Sequence, residues 1–257
     1  MARVRLDQRV MELGLAPTLA NARARILAGE VRLGDRVLDK AGMLVAADAA
    51  LALADSPRFV SRGGEKLAGA LAALGVEVAG LRCADAGAAT GGFTDCLLQH
   101  GAAHVLALDV GYGQLAAKLR GDPRVRLVER TNLRHFALGP DEPAFDLVTA
   151  DLSFISLRLV LPALVALARP GGSLLLLVKP QFELERGAVG KGGVVRDPEL
   201  RARAVREVRE AAEAAGLRAR GEAESPLAGP KGNREIFLWL EKPPADADLQ
   251  ARTPPLH

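Results

Sequence analysis

The sequence predicts an α/β fold: a doubly wound, mostly parallel sheet preceded by a small N-terminal α+β unit. Three observations predict it. From residue 81 onward, short apolar runs alternate with helical patterns, the mark of strands covered on both faces. The first of these runs ends in a glycine-rich turn that opens a helix, the usual place for a ligand in such a sheet. The first 54 residues keep a different rhythm, with two helical patterns, then brief β-like runs, and dense charge throughout. A chain of 257 residues has room for a small and a medium domain, and with 49% hydrophobic residues it can fill both cores.

The first unit is expected over residues 1–54. Leu6, Val10, Met11 and Leu13 recur at near-helical spacing until Gly14 interrupts. A second helix runs from Leu19 to Ala28, carries Arg23 and Arg25, and stops at Gly29. β-like runs follow at 30–33, 36–38 and 50–54, the first two separated by a Gly34-Asp35 turn. Pro57 and Ser61-Arg62-Gly63-Gly64 suggest an interdomain linker over 55–64. The second unit, 65–243, opens with a helix from Lys66 to Leu74. Its strands are expected at 81–86, 104–109, 125–129, 145–150, 173–178 and 235–240, and its helices at 93–100, 114–120, 157–168 and 199–215. Residues 182–197 read as a long glycine-containing loop, either a flap over substrate or a disordered excursion. The Pro-rich stretch 244–257 reads as a flexible tail.

Composition narrows the function classes. With 34 Lys and Arg against 31 Asp and Glu, the charge of +3 is compatible with nucleic acid but does not argue for it alone. Cys83 and Cys96 form no Cys-x-x-Cys pair and the histidines show no ligand spacing, so no metal is expected and the thiols read as buried and free. The N-terminal MARVRLDQRV lacks a signal peptide's apolar core. Leu174–Val178 is far short of the roughly 20 residues a bilayer requires. The expectation is a soluble cytoplasmic protein with no membrane partner.

The sharpest feature is Asp85-Ala86-Gly87-Ala88-Ala89-Thr90-Gly91-Gly92-Phe93. Glycines let backbone approach a ligand closely, and the helix start presents free N–H groups. The spacing Gly87-x-x-x-Gly91 is not the dinucleotide pattern, and no Gly-Lys-Ser/Thr follows to grip phosphate. Asp109 ends the next strand, where a carboxylate accepts hydrogen bonds from ribose hydroxyls; the plainer alternative is a turn before Gly111. These features fit an adenosine without phosphates, and so S-adenosyl-L-methionine. The candidate cofactor residues are Asp85, Gly87, Ala89, Thr90, Gly91, Gly92, Phe93, Asp109, Asn132 and Asp151.

Lys66, Asp151, Lys179 and Glu235 sit beside strand ends, or open the helix before the sheet, and form the candidate catalytic set. Taken singly, each is an ordinary solvated charge. Together they suit methylation of a ribose hydroxyl, which is a poor nucleophile until a base removes its proton. A lysine serves as that base when burial or a neighbouring cation lowers its proton affinity, while carboxylates position the ammonium groups.

These residues resemble the TlyA family, also labelled hemolysins, in which an S4-type RNA-binding domain precedes an FtsJ-like methyltransferase. The resemblance rests on Arg5-Leu6-Asp7, Ala22-Arg23 and Gly29-Glu30-Val31 in the first unit. It continues through Phe59 to Leu67, Asp85 to Cys96, Asp151 to Ser156, Lys179 to Glu183 and Gly232 to Glu235, in order. It implies a Rossmann-like methyltransferase fold with an S4-like N-terminal domain, and a Lys-Asp-Lys-Glu catalytic set falling on Lys66, Asp151, Lys179 and Glu235. It further implies 2'-O-methylation of cytidines in ribosomal RNA within ribosomal subunits. The chain departs from the pattern at Ala89, where the family often has Ser, at Thr18-Leu19-Ala20 in place of Ser-Arg, and at Gly34-Asp35 in place of Asn-Gly. Arg5, Arg23, Arg25 and Arg62 are the candidate RNA contacts. Interleaved acids such as Asp7 and Glu12 leave a plain solvated surface as the alternative. A non-catalytic RNA-binding or ribosome assembly factor, a membrane-lytic hemolysin and a small-molecule methyltransferase are the competing readings.

Overall fold

The structure is a computed structural model that describes residues 3–27, 29–34, 36–53, 58–229 and 231–245. The expected tail at 244–257 falls almost wholly outside that range, as do Ala28 and Asp35. The chain divides into two compact units, Met1–Arg58 and Phe59–His257.

The first unit contains β1 (Arg3–Arg5), α1 (Leu6–Glu12), α2 (Leu19–Leu27), β2 (Val31–Leu33), β3 (Arg36–Val37), β4 (Leu44–Ala46) and β5 (Leu51–Leu53). The pairs Leu6/Val10 and Ala22/Ile26, each four apart, place fully buried side chains on the facing stripes of the two helices. β1 pairs antiparallel with β4, and the other three strands form a small antiparallel sheet in the order β3-β2-β5. The pattern reading contains neither β1 nor β4. Each has three residues, too few for a period of two to show.

The boundary between units differs from the sequence reading. Phe59 is buried in the second unit's core, and α3 (Arg62–Leu74) begins well inside the expected linker. The cause is Gly64: a Cβ there would lie 2.2 Å from the Phe59 ring, so the glycine's bare backbone is what admits the ring. What reads as flexible glycine is close packing.

The second unit continues with β6 (Arg82–Ala86), α4 (Gly92–Gln99), β7 (His104–Leu108), α5 (Ala117–Arg120), β8 (Val125–Val128) and β9 (Phe145–Ala150). After these come α6 (Leu161–Leu167), β10 (Ala168–Val178), α7 (Pro180–Glu183), α8 (Pro198–Ala214), β11 (Arg218–Glu224) and β12 (Ile236–Glu241). They build a seven-stranded sheet in the order β11-β12-β10-β9-β6-β7-β8, in which β8, β7, β6, β9 and β10 pair in parallel and β12 runs against its neighbours. Alternation along β10 covers both faces. Leu174, Leu176 and Val178 pack in one core with α6 and α8, while Leu175 and Leu177 pack in the other with α3 and α4. Each of these leucines is essentially fully buried, so replacing one by alanine costs about 2–5 kcal/mol.

Three local differences have physical reasons. The helix expected at 157–168 is split into a 3-10 turn, Leu157–Leu159, and α6, because Pro162 suits a first turn and not a helix interior. β11, RARGEAE, is absent from the pattern reading because it is an edge strand whose side chains are mostly exposed. The 182–197 stretch is pinned at its ends, where Leu184 and Val195 pack against Ala204 of α8. Chain order reverses between β6 and β9, so the crevice past their carboxyl ends is where this topology places a ligand.

Candidate active site

β6 delivers the chain into the glycine-rich turn and β9 delivers it to Asp151, side by side. The turn is shaped by what a side chain would strike. A Cβ on Gly87 (φ 87°) would lie 2.7 Å from the Asp151 carbonyl oxygen, and one on Gly92 would lie 2.2 Å from Ser61 Oγ. Ala89 carries a Cβ in the left-handed region at φ 46°, held there as its N–H donates to Asp109 Oδ2 at 2.8 Å. The other oxygen of Asp109 accepts from Gly111 N–H at 2.6 Å, so this carboxylate ties together the ends of β6 and β7.

Two adjoining cavities open on the turn and share Gly87, Ala89, Asp151 and Ser153. One of about 340 Å³ adds Thr90, Gly92, Phe93, Lys66 and Lys179. The other, of about 470 Å³, adds Asp109, Asn132, Leu133 and Ile155. Of the ten candidate cofactor residues, Asp85 and Gly91 are not on these walls. Gly91 caps α4, with a Cβ position 2.3 Å from Leu119. Asp85 lies wholly buried beneath the turn, one oxygen accepting from Thr94 Oγ1 at 2.7 Å and the other unpaired. Burial, reinforced by the negative charge of Asp151, pushes its carboxyl up to about 7.

The four candidate catalytic residues meet as two ion pairs. Lys179 Nζ stands 2.5 Å from Asp151 Oδ1 and 3.0 Å from Ser153 Oγ. Lys66 Nζ lies 2.6 Å from Glu235 Oε2, both nearly sealed from solvent. Gly229 leaves room for that carboxylate, since a Cβ there would sit 2.5 Å from Glu235 Oε1. Lys66 and Lys179 line the same cavity. Among the described residues, no group of three or more His, Cys, Asp or Glu is placed to hold a metal.

The sequence profile of FtsJ-like methyltransferases matches residues 59–242, the unit that carries this site. The chain belongs to that family. The 16S/23S rRNA (cytidine-2'-O)-methyltransferase TlyA of Mycobacterium tuberculosis is 52% identical over 240 residues, 93% of this chain and 90% of that protein. Hemolysin A of Brachyspira hyodysenteriae is 38% identical over 91% of this chain and 98% of its own length. The solved structure of a Streptococcus thermophilus protein described as a hemolysin superposes with a TM-score of 0.72 at 38% identity, covering 96% of this chain and 92% of that one.

Around this site of the FtsJ-like methyltransferase stand further residues that the sequence reading names only within longer motifs. Ser153 gives Lys179 its second partner. Glu183, buried on α7, accepts from Ser156 Oγ at 2.5 Å and Leu157 N–H at 2.8 Å, and so anchors the loop that follows Asp151. Phe154 in that loop is 91% exposed and sits at φ 65°, a conformation that side chains of its size seldom adopt and that no local sequence signal announces. Asp95 accepts from Val60 N–H at 2.8 Å and pairs with Lys118 at 2.9 Å, fixing the chain as it enters the unit.

Of the candidate RNA contacts, Arg62 lies in the methyltransferase unit, where it donates to the Ala228 carbonyl at 2.8 Å and lines the 340 Å³ cavity. In the first unit, Arg5 and Arg23 converge on one buried carboxylate, Asp7, at 2.8 and 3.0 Å, with the arginine side chains about half exposed. Asp7, which reads in sequence as an interleaved surface acid, is a buried anchor. Hydrogen bonding from Arg5 and then Arg23 outweighs burial and holds its carboxyl down at about 2. Arg25 is half-buried on the last turn of the same helix as Arg23.

Proposed function

We propose that this chain transfers a methyl group from S-adenosyl-L-methionine to the ribose 2'-hydroxyl of a cytidine in ribosomal RNA, within ribosomal subunits in the cytoplasm. The observation that carries this reading is that Lys66 and Lys179, each paired with a carboxylate, line one cavity that continues over a glycine-shaped turn. The name of the 52%-identical relative supplies the substrate class.

The turn fits an adenosine-bearing cofactor. Gly87 lines both cavities and Gly92 the smaller one, Asp109 and Asn132 stand on the wall of the larger, and Ile155 with Leu133 offers it an apolar side. When bound, S-adenosyl-L-methionine supplies an electrophilic methyl carbon on a positively charged sulfur. Lys179, once its ammonium has given up a proton to solvent, would take the proton of the 2'-hydroxyl as that oxygen accepts the methyl group. Asp151 and Ser153 hold its Nζ in place, which is where positioning lowers the barrier. Lys66, fixed by Glu235, directs its ammonium group into the same cavity, where it stabilises negative charge developing on the oxygen. Arg5, Arg23, Arg25 and Arg62 bind RNA phosphates.

The test is transfer of labelled methyl groups to unmethylated ribosomal subunits by wild type and by Lys179→Ala. Label on a cytidine ribose that falls about 10²–10⁴-fold in the variant supports both reaction and base. Subunit binding without labelling by wild type would favour the assembly-factor reading instead.

A further inference from the structure

Two stretches of chain meet at Lys179 and meet again one helical turn later. At the first meeting, Lys179 Nζ stands 2.5 Å from Asp151 Oδ1 and 3.0 Å from Ser153 Oγ. At the second, the Glu183 carboxylate accepts from Ser156 Oγ at 2.5 Å and from Leu157 N–H at 2.8 Å, and the Glu183 carbonyl accepts from Arg158 at 2.6 Å. Lys179 and Glu183 bracket α7, one as the residue before its first turn and the other as its last residue. Between the two meetings the opposing loop has little of its own to hold it. Among the described residues, 152–155 make no backbone–backbone hydrogen bond. Leu152 and Ile155 pack against the core, which holds the loop down without aiming Ser153. Glu183 is 4% exposed, and burial raises its carboxyl above the usual range. A carboxyl kept there at that cost needs its hydrogen bonds, and both of its oxygens are spent on the loop that carries Ser153.

We propose that Glu183 is a positioning residue for the methyl transfer. Through Ser156 and Leu157 it fixes the 151–157 loop against the turn that begins at Lys179, and so sets where Asp151 and Ser153 hold the lysine nitrogen. The inference rests on the ribose-methylation reading, with Lys179 as the base. Glu183 lies on the wall of neither cavity that opens on the glycine-rich turn, so its effect passes through the residues it holds. Misplacing a reacting group by about 1 Å costs up to about a hundredfold in rate, so a loose joint one turn away is felt in the chemical step.

The experiment uses the full chain, unmethylated ribosomal subunits and single-turnover transfer of labelled methyl groups, with S-adenosylmethionine and subunits saturating. Glu183→Ala removes both ties and should slow transfer about 10–100-fold. Glu183→Gln keeps them, its oxygen accepting from Leu157 N–H and its amine donating to Ser156 Oγ, and should stay within about fivefold of wild type. Ser153→Ala should slow the wild type several-fold yet add little to Glu183→Ala, because a misplaced Ser153 has already lost Lys179. Affinities for S-adenosylmethionine, by calorimetry, and for subunits should match wild type throughout, which separates placement from a collapsed site. Should Glu183→Ala fail to fold, Ser156→Ala cuts the same joint from its other side and replaces it in the comparison. A wild-type rate in Glu183→Ala, a loss that Glu183→Gln does not restore, losses that multiply independently in the double variant, or a loss carried by weaker S-adenosylmethionine binding would overturn the assignment. Wild type that labels no subunit would overturn the methylation reading, and this one with it.

Discussion

Asp85 lies under the glycine-rich turn with one oxygen on Thr94 and the other unpaired, and burial raises its carboxyl to about 7. The unfolded chain ionises this group near the ordinary aspartate value of about 3.9. Folding therefore takes up a proton between pH 4 and 7, and the stability present below that window is lost as pH rises through it. Asp85→Asn removes the titration. Calorimetric melting between pH 5 and 8 should show wild type losing Tm relative to the variant as pH increases; parallel curves would refute the burial argument. The Lys66–Glu235 pair behaves differently because each partner compensates the other. Lys66→Met strands a buried carboxylate and should cost about 3–5 kcal/mol, whereas Lys66→Met combined with Glu235→Leu should recover most of that stability. Neither variant should methylate RNA, so melting and transfer assays together separate the pair's structural share from its chemical one.

Among elements, legibility followed how much of the signal is local. β10 is plain in the sequence because its leucines are buried on both faces and form an unbroken apolar run. β11 is not, because an edge strand paired only with β12 has no need of apolar side chains. In the site, Lys66 and Glu235 are each visible at an element's end, but their contact spans 169 positions and no spacing encodes it. Phe154 escapes for another reason: it sits at φ 65° although nothing in its residue type favours that conformation. The start of α3 is the instructive case, since Gly63-Gly64 has the composition of a linker and the packing of a core. Gly64→Ala should cost about 1–3 kcal/mol by overpacking against Phe59, measured by chemical denaturation, although alanine is the better helix former. A variant as stable as wild type would return residues 59–64 to the linker that their composition suggests.

For the whole molecule, on the proposed function the two units would divide the work: one holds two lysine–carboxylate ion pairs, the other exposes arginines braced on a carboxylate. A single Asp7 set between Arg5 and Arg23 leaves a net positive charge and holds both guanidinium groups in place. Phosphate contacts of this kind release counterions, so binding should weaken as salt rises, with a log–log slope near 0.9 for each duplex phosphate neutralised and about 0.7 on single strands. Arg23→Gln combined with Arg25→Gln should therefore weaken binding to ribosomal subunits and reduce that slope by about one to two. S-adenosylmethionine affinity, and the methylation rate at saturating subunits, should change little, because neither residue lies in the unit that carries the catalytic pairs. Binding measured at several salt concentrations beside single-turnover methylation tests both halves of this division. An unchanged slope would return these arginines to a plain solvated surface. A slope that falls together with the saturated rate would mean that the first unit positions the target ribose as well as holding the RNA.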